Sequence, residues 1–425
     1  MRILMRFIVV VSMGCVCAQE EVSCASVDLT GTMRAISGAQ RIYIGLIEPD
    51  AEVLKARGLL QKLLEISGQL LITAQQCDEP KSKQDIHKLF QEGYVLALFM
   101  STSSDKKNIL WRLYDPTESV MLKGRSFTKR SFDKLSWVYG LADILWREVM
   151  QQQSSFSSYI TYSKRKSAQK FVICTNDLLG EQERELLSKP GIYVGLSWQL
   201  YGDIPVLFAS EFTLYNVRFM SVSLEGRKKV VMNFDGTLVG ISCAGNKALY
   251  SRSGTIWSYS FDAQTKRGIH KIVVQNEGKN SSPLLLKNGD MIWCSDAPSL
   301  CAPTAGPHIF YYHADTKQSD RLTTSGFCVG PAYHESSKRI VYSKRVKGQF
   351  QLFVYDMNSK VHEQLTHDHG DKISCSWSPC GNYVLFCVQE GRSSRIAVEH
   401  VKLHTRLYVT SSSSYCSYPA WSPLL

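Results

Sequence analysis

The feature that most constrains this chain is a period near 44 residues. The anchors Trp198, Ile241, Leu285, Tyr333, Trp377 and Trp421 are spaced by 43, 44, 48, 44 and 44 residues. The clearest unit runs Cys375-Ser376-Trp377-Ser378-Pro379-Cys380-Gly381-Asn382-Tyr383-Val384-Leu385-Phe386. In it an aromatic ends one strand, a Ser-Pro-x-Gly turn follows, and a new apolar strand begins. After Tyr333, residues 339–343, 351–356 and 363–366 supply three more strands. A four-stranded repeat of roughly 40–45 residues is one propeller blade, so six anchors predict a six-bladed all-β propeller. The chain stops one strand into its last unit. The three strands that would complete it lie upstream of the first anchor, at 159–163, 170–175 and 183–187. The C-terminal strand is therefore expected to close the ring against residues 159–187, which removes exposed sheet edges.

Residues 41–150 carry a different rhythm. Arg41–Ile47 reads as a strand, and Asp50 caps a helix whose Val53, Leu54, Leu60, Leu63 and Leu64 recur at helical spacing. A strand at 69–73 follows. Ser82 with Asp85 resembles a capping box for a helix through Glu92, stopped by Gly93. Three strands at 94–102, 109–114 and 120–127 precede a last helix from about Ser131 to Met150. The order β-α-β-α-β-β-β-α predicts a small α/β domain, with Trp111, Trp137 and Trp146 as core or domain-contact residues. It holds no glycine-rich phosphate loop. The polar run 151–158 reads as the interdomain linker.

The first residues read as a leader. Arg2 and Arg6 precede the apolar run Phe7–Val16, and Val16-Cys17-Ala18 offers small residues for cleavage. The run is too short to span a bilayer, which takes about 20 apolar residues. Ser12-Met13-Gly14-Cys15 fits a lipoprotein signal poorly. The expected division is a signal peptide at 1–18, a mobile N-terminal segment at 19–40, the α/β domain at 41–150, the linker at 151–158 and the propeller at 159–425. Losing Arg2 and Arg6 lowers the formal charge of +11 by two. The basic clusters 164–166 and 227–229 read as solvated strand ends, with an anionic partner as the sharper alternative. No nucleic-acid recognition motif is present. Of 13 cysteines, 11 follow Ala18. Export permits disulfides, with Cys294–Cys301 the best pair and Cys375 and Cys387 on neighbouring strands.

The arrangement resembles the TolB family of the Tol-Pal envelope system. An export signal, a small α/β domain, a linker and blades with Trp-Ser-Pro-x-Gly turns come in that order. Tyr418-Pro419-Ala420-Trp421-Ser422-Pro423-Leu424-Leu425 is very close to that family's terminus, and Phe156–Tyr162 sits where the family enters its propeller. Cys380 departs from the family's Asp in the Ser-Pro-Asp-Gly turn, several blades lack the Ser-Pro, and the cysteine content is atypical. The resemblance implies a monomeric, cofactor-free periplasmic scaffold that supports outer-membrane integrity and division. It implies binding of a Pal-like lipoprotein through loops before the first strand of each blade, and of a TolA-like inner-membrane protein through the N-terminal segment. Other outer-membrane proteins are further candidate partners. Transferred to this chain, the mouth loops are Asp235-Gly236-Thr237, Ser281-Ser282, Gly326-Phe327 and His367-Asp368-His369-Gly370-Asp371. The N-terminal segment contributes Glu20, Glu21 and Val22. Plain turn chemistry is the alternative for each loop, since turns favour Asp, Ser and Gly.

Three segments invite other chemistry. The His367–Asp371 loop holds potential metal ligands, although alternate histidines on a loop are common without metal. Gly240-Ile241-Ser242-Cys243-Ala244-Gly245 nears a serine-nucleophile elbow but is in phase with the other blade anchors. Asn280-Ser281-Ser282 fits a glycosylation sequon and is read as a turn. No catalytic residue or metal site is assigned. A periplasmic propeller enzyme, of metal-dependent lyase or lactonase type or of hydrolase type, is the alternative function.

Overall fold

The computed structural model describes residues 39–424 except 129–135, 168–169, 202, 214, 235–237, 245–246, 263–266 and 302–305. Glu20, Glu21, Val22, Asp235 and Gly236 lie outside the described residues, as does the leader.

The α/β layer follows from its local signals. Strand β1 (Gln40–Ile47) leads to helix α1 (Ala51–Glu65), where the Asp50 carboxylate accepts from the backbone N–H of Glu52 and Val53. Strand β2 (Leu70–Gln76) leads to α2 (Lys83–Gln91), which begins in the expected capping box of Ser82 and Asp85. Strands β3 (Leu96–Thr102), β4 (Asn108–Asp115) and β5 (Val120–Thr128) precede α3 (Ser136–Met150). The sheet order is β2-β1-β3-β4-β5, with β1 parallel to β2 and β3 and the rest antiparallel. Trp111 and Trp146 are buried, and Trp137 stacks on Phe127 at the edge of the same core. Leu54, expected on the apolar face of α1, is instead 43% exposed.

The remaining sheets are antiparallel and propeller-like. Four have four strands each and begin with Leu238–Ala244, Asn280–Leu285, Cys328–His334 and Asp371–Trp377. A fifth sheet has seven strands. It contains β6 (Ile160–Ser167), β7 (Lys170–Asn176), β8 (Arg184–Tyr201), β9 (Ile204–Phe212), β10 (Val217–Val222), β11 (Lys228–Phe234) and the C-terminal strand Cys416–Trp421. Strand β8 explains the count. Its first half pairs with β7 and its second half with β9, so the strands expected near 183–187 and 196–198 are one continuous strand. The C-terminal strand pairs antiparallel with β6, Trp421 opposite Ile160. It also packs against β8 and against Asp371–Trp377.

The anchor tryptophans tie separate strands and segments together. The Trp377 indole donates to the Ala332 carbonyl at 3.1 Å, Trp198 to Thr161 Oγ1 at 3.1 Å and Trp421 to Ser158 Oγ at 2.6 Å. A buried indole N–H left unpaired costs about 1–3 kcal/mol, so these bonds specify register as well as packing. The Ser-Pro turn closes on its own serine. Ser378 Oγ accepts from the Tyr383 N–H, and Gly381 has φ +70° with His334 crowding its missing Cβ. Cys380 fills the turn position where aspartate was expected, and its N–H donates to Ser155 Oγ at 3.1 Å.

The two parts of the chain share one core. Residues of α3, including Val138, Leu141 and Leu145, belong to the same buried cluster as Ile160, Tyr162, Tyr383 and Trp421. Asp143 accepts from Ser154 Oγ and from the N–H groups of Phe156 and Ser157, which fixes the segment joining them. Among the described residues, no helix is long and apolar enough to cross a membrane.

Candidate functional site: loops before the first strands

The segments that precede first strands were the expected contact loops, and the structure treats them unequally. Ser281 and Ser282 do not lie in such a loop. They sit inside the strand Asn280–Leu285, at a bulge between Ser281 and Leu284, with Ser282 at φ +51°. The reason is Asn280. It is fully buried, and its amide donates to the Gly254 carbonyl and to Asn276 Oδ1 at 2.9 Å each. That bonding extends the strand one residue before Ser281. Asn280 is therefore a strand residue rather than the turn residue expected, and its amide is not free for a glycan. Phe327 remains in its loop, 40% exposed, with its ring edge-on to Phe350.

The His367–Asp371 loop is where the expected residues do come together. His367, Asp368 and His369 are exposed, and Gly370 is buried at φ +90°, where a Cβ would strike the Glu390 side chain. What organises the loop is Lys372, which sequence reading missed. Its side chain is 0% exposed. Its ammonium donates to the carbonyls of Asp368 (2.8 Å), His369 and Gly370 (3.0 Å), and pairs with Asp368 Oδ2 at 3.0 Å. A lysine in the middle of a strand pattern carries no sequence signal that it turns inward. Arg406 braces the other side. It makes a bidentate pair with Asp368 at 2.7 and 2.9 Å and also binds Glu399. Burial would raise Asp368, but hydrogen bonds from Arg406 and Lys372 outweigh it and hold the carboxyl down at about 2. Burial wins at Glu399, whose carboxyl is raised. His369 Nδ1 bonds the Gln349 amide, and Asp371 accepts from the Phe350 N–H.

The loop's inward-facing carbonyls therefore already hold a cation, the lysine of the chain itself. Among the described residues, no three His, Cys, Asp or Glu side chains converge as a metal-binding group. Ser242, of the elbow-like segment, lies in a strand, and its hydroxyl accepts from the Leu285 N–H at 3.0 Å. Cys294, expected to pair with Cys301, is free and buried. Cys375 and Cys387 do lie on neighbouring strands, but a bulge between Ile373 and Ser376, with Ser374 at φ +55°, turns Cys375 to the face opposite Cys387, and both are free. Burial raises the thiols of Cys294 and Cys375 to about 12 and that of Cys387 to about 11, which suppresses thiolate chemistry.

A loop not singled out in the sequence, residues 411–415, also precedes a first strand, Cys416–Trp421. Ser411 Oγ lies 2.9 Å from Ser413 Oγ and 3.1 Å from Ser414 Oγ. With Lys164, Arg165 and Arg392 this loop lines a cavity of about 420 Å³.

Comparison with known proteins accords with this architecture. No protein-family model matches the chain. A curated Tol-Pal system protein TolB from Albidiferax ferrireducens is 24% identical over 234 residues, 53% of each chain. The match thus spans about half the length of that relative. The crystal structure of TolB from Acinetobacter baumannii aligns over 95% of this chain and 99% of its own, with 19% identity and a TM-score of 0.74. A gluconolactonase from Xanthomonas campestris aligns at 10% identity over 62% of this chain and 91% of its own, with a TM-score of 0.43. That is too low to carry chemistry across. The resemblance to the TolB family read from the repeat and the terminus therefore stands, in sequence against a curated TolB and in fold against a crystallised one.

Proposed function

We propose that this chain is a periplasmic binding scaffold of the Tol-Pal system, in which it joins a Pal-like lipoprotein to a TolA-like inner-membrane protein. The sequence match to a curated Tol-Pal protein carries this reading. In it the propeller-like sheets are a six-bladed ring over 159–425. The pairing of the C-terminal strand with β6, and its packing on both neighbouring first strands, support closure. Residues 1–18 are a cleaved export signal, and 41–150 form the α/β domain, linked through 151–158. The segment 19–40, through Glu20, Glu21 and Val22, engages the TolA-like partner. The Pal-like lipoprotein docks on the mouth, at Asp235, Gly236, Ser281, Ser282, His367, Asp368, His369 and Asp371. Through these contacts the protein supports outer-membrane integrity and its invagination at division. It acts as a monomer without a cofactor.

The His367 loop favours a scaffold over an enzyme. Its carbonyls and carboxylate are spent on Lys372 and Arg406, which gives a rigid, sculpted surface rather than an open ligand set. The test is calorimetric titration of the mature protein with the Pal-like lipoprotein of the same genome. Saturable 1:1 binding, weakened at least tenfold by changing His367 and His369 to Ala together, supports the proposal. Absence of binding refutes it.

A further inference from the structure

Several basic residues of the propeller-like sheets pair with neighbouring carboxylates. Lys164 pairs with Glu183 at 2.5 Å, Lys166 with Glu185 at 2.5 Å, and Lys228 with Glu211 at 2.7 Å. Arg165 and Arg392 differ. Neither forms an ion pair with a carboxylate among the described residues, and both line the 420 Å³ cavity beside the loop 411–415. No acidic residue is among those lining the cavity; Glu183 holds Lys164 at its edge and also accepts from the Tyr162 hydroxyl at 2.6 Å.

The walls are fixed by bonds between the elements that form them. The Arg165 N–H donates to the Tyr415 carbonyl at 2.9 Å, and its guanidinium stacks 4.2 Å from the Tyr415 ring centre. Tyr415 is backed edge-on by Phe171. The Ser394 N–H holds the Ser414 carbonyl, and the Ser414 N–H closes a turn on Ser411. The turn carrying Arg392 is thereby tied to the serine loop. Four serines, Ser393, Ser412, Ser413 and Ser414, line the cavity with two guanidinium groups and the Lys164 ammonium, which Glu183 already holds.

We propose that this cavity binds a phosphoryl group. Arginine forks and hydroxyls arriving from a strand, a turn and a loop suit a tetrahedral oxyanion, which offers at least three acceptor oxygens. A planar carboxylate offers two and leaves one wall unused. The volume exceeds that of a bare phosphate, so the group is carried on an ester, either a soluble one or a phospholipid head. The inference does not rest on Tol-Pal partners.

The test is titration of the full mature protein with inorganic phosphate at constant ionic strength, alongside sedimentation with phosphatidylglycerol vesicles and phosphatidylcholine controls. Arg392 is exposed in a turn, so Arg392→Gln should fold normally. Ser413→Ala provides a second, uncharged probe, and Lys347→Gln, in the corresponding turn of the preceding sheet, controls for general charge. The expected result is saturable phosphate binding weakened at least tenfold by Arg392→Gln, severalfold by Ser413→Ala, and unchanged by Lys347→Gln. Vesicle binding that Arg392→Gln abolishes assigns the ester to a lipid head; phosphate binding without vesicle binding assigns it to a soluble ester. The proposal is overturned if neither probe binds, if acetate binds as tightly as phosphate, or if Lys347→Gln weakens binding as much as Arg392→Gln.

Discussion

Two loops that precede successive first strands, 367–371 and 411–415, are built from similar materials and end in opposite states. Each combines small polar residues with nearby cations. In the first, Lys372 and Arg406 turn inward and satisfy the loop's own carbonyls and Asp368. In the second, Arg165 and Arg392 line a cavity and form no ion pair with a carboxylate among the described residues. The difference lies in the supply of acceptors. The 367–371 loop brings a carboxylate and three converging carbonyls, whereas the serine loop brings hydroxyls that bond one another. A buried ammonium is tolerated only where such acceptors replace water. The first loop is thereby a shaped surface, and the second an open basic wall.

The largest expected effect breaks the closed loop. Lys372→Met removes the ammonium but leaves three carbonyls and Asp368 behind, and should cost about 3–5 kcal/mol in urea unfolding. Next comes pH. His400 is buried beside Glu399, and its Nε2 has no partner. Burial first, then the positive charges of Lys402, His404 and Arg339, lowers it to about 4. The unfolded value is about 6.5, so this stability is fully present above pH 6.5 and lost as pH falls toward 4. The loss should reach about 3 kcal/mol, and His400→Gln should flatten the slope over that window. Asp368, held at about 2, adds a further loss only between pH about 4 and 2. Asp368→Asn at neutral pH keeps shape but weakens two charge-assisted contacts, and should cost about 1–2 kcal/mol. Smallest of all, Arg392→Gln in the open loop should leave unfolding within about 0.5 kcal/mol of the parent. A comparable cost at Arg392 and Lys372 would erase the distinction between the loops.

Much of the fold was legible because its signals are local. Asp50, Ser82 with Asp85, and the Ser-Pro-x-Gly turn at Ser378 each specify hydrogen bonds within a few residues. The 44-residue spacing placed Trp198, Trp377 and Trp421 in strands, where the structure has them. Site detail was less legible because its causes are long-range. Ser281 enters the strand because Asn280 is bonded to Gly254. Lys372 turns inward because the carbonyls of residues 368–370 converge on it. The exposed Arg392 gains meaning only beside Tyr415 and Lys164, far away in sequence. Cys375 and Cys387 do lie on neighbouring strands, but the bulge between Ile373 and Ser376, which spacing does not show, sets them on opposite faces.

The central claim, that the loops before the first strands form the face for a Pal-like partner, is most directly tested by hydrogen exchange. The mature protein would be compared with and without a saturating Pal-like lipoprotein. The account predicts new protection at residues 280–284 and 367–371, with the outer strand Lys228–Phe234 unchanged. Protection confined to the outer strands or to the α/β layer, with 367–371 unaffected, would contradict it.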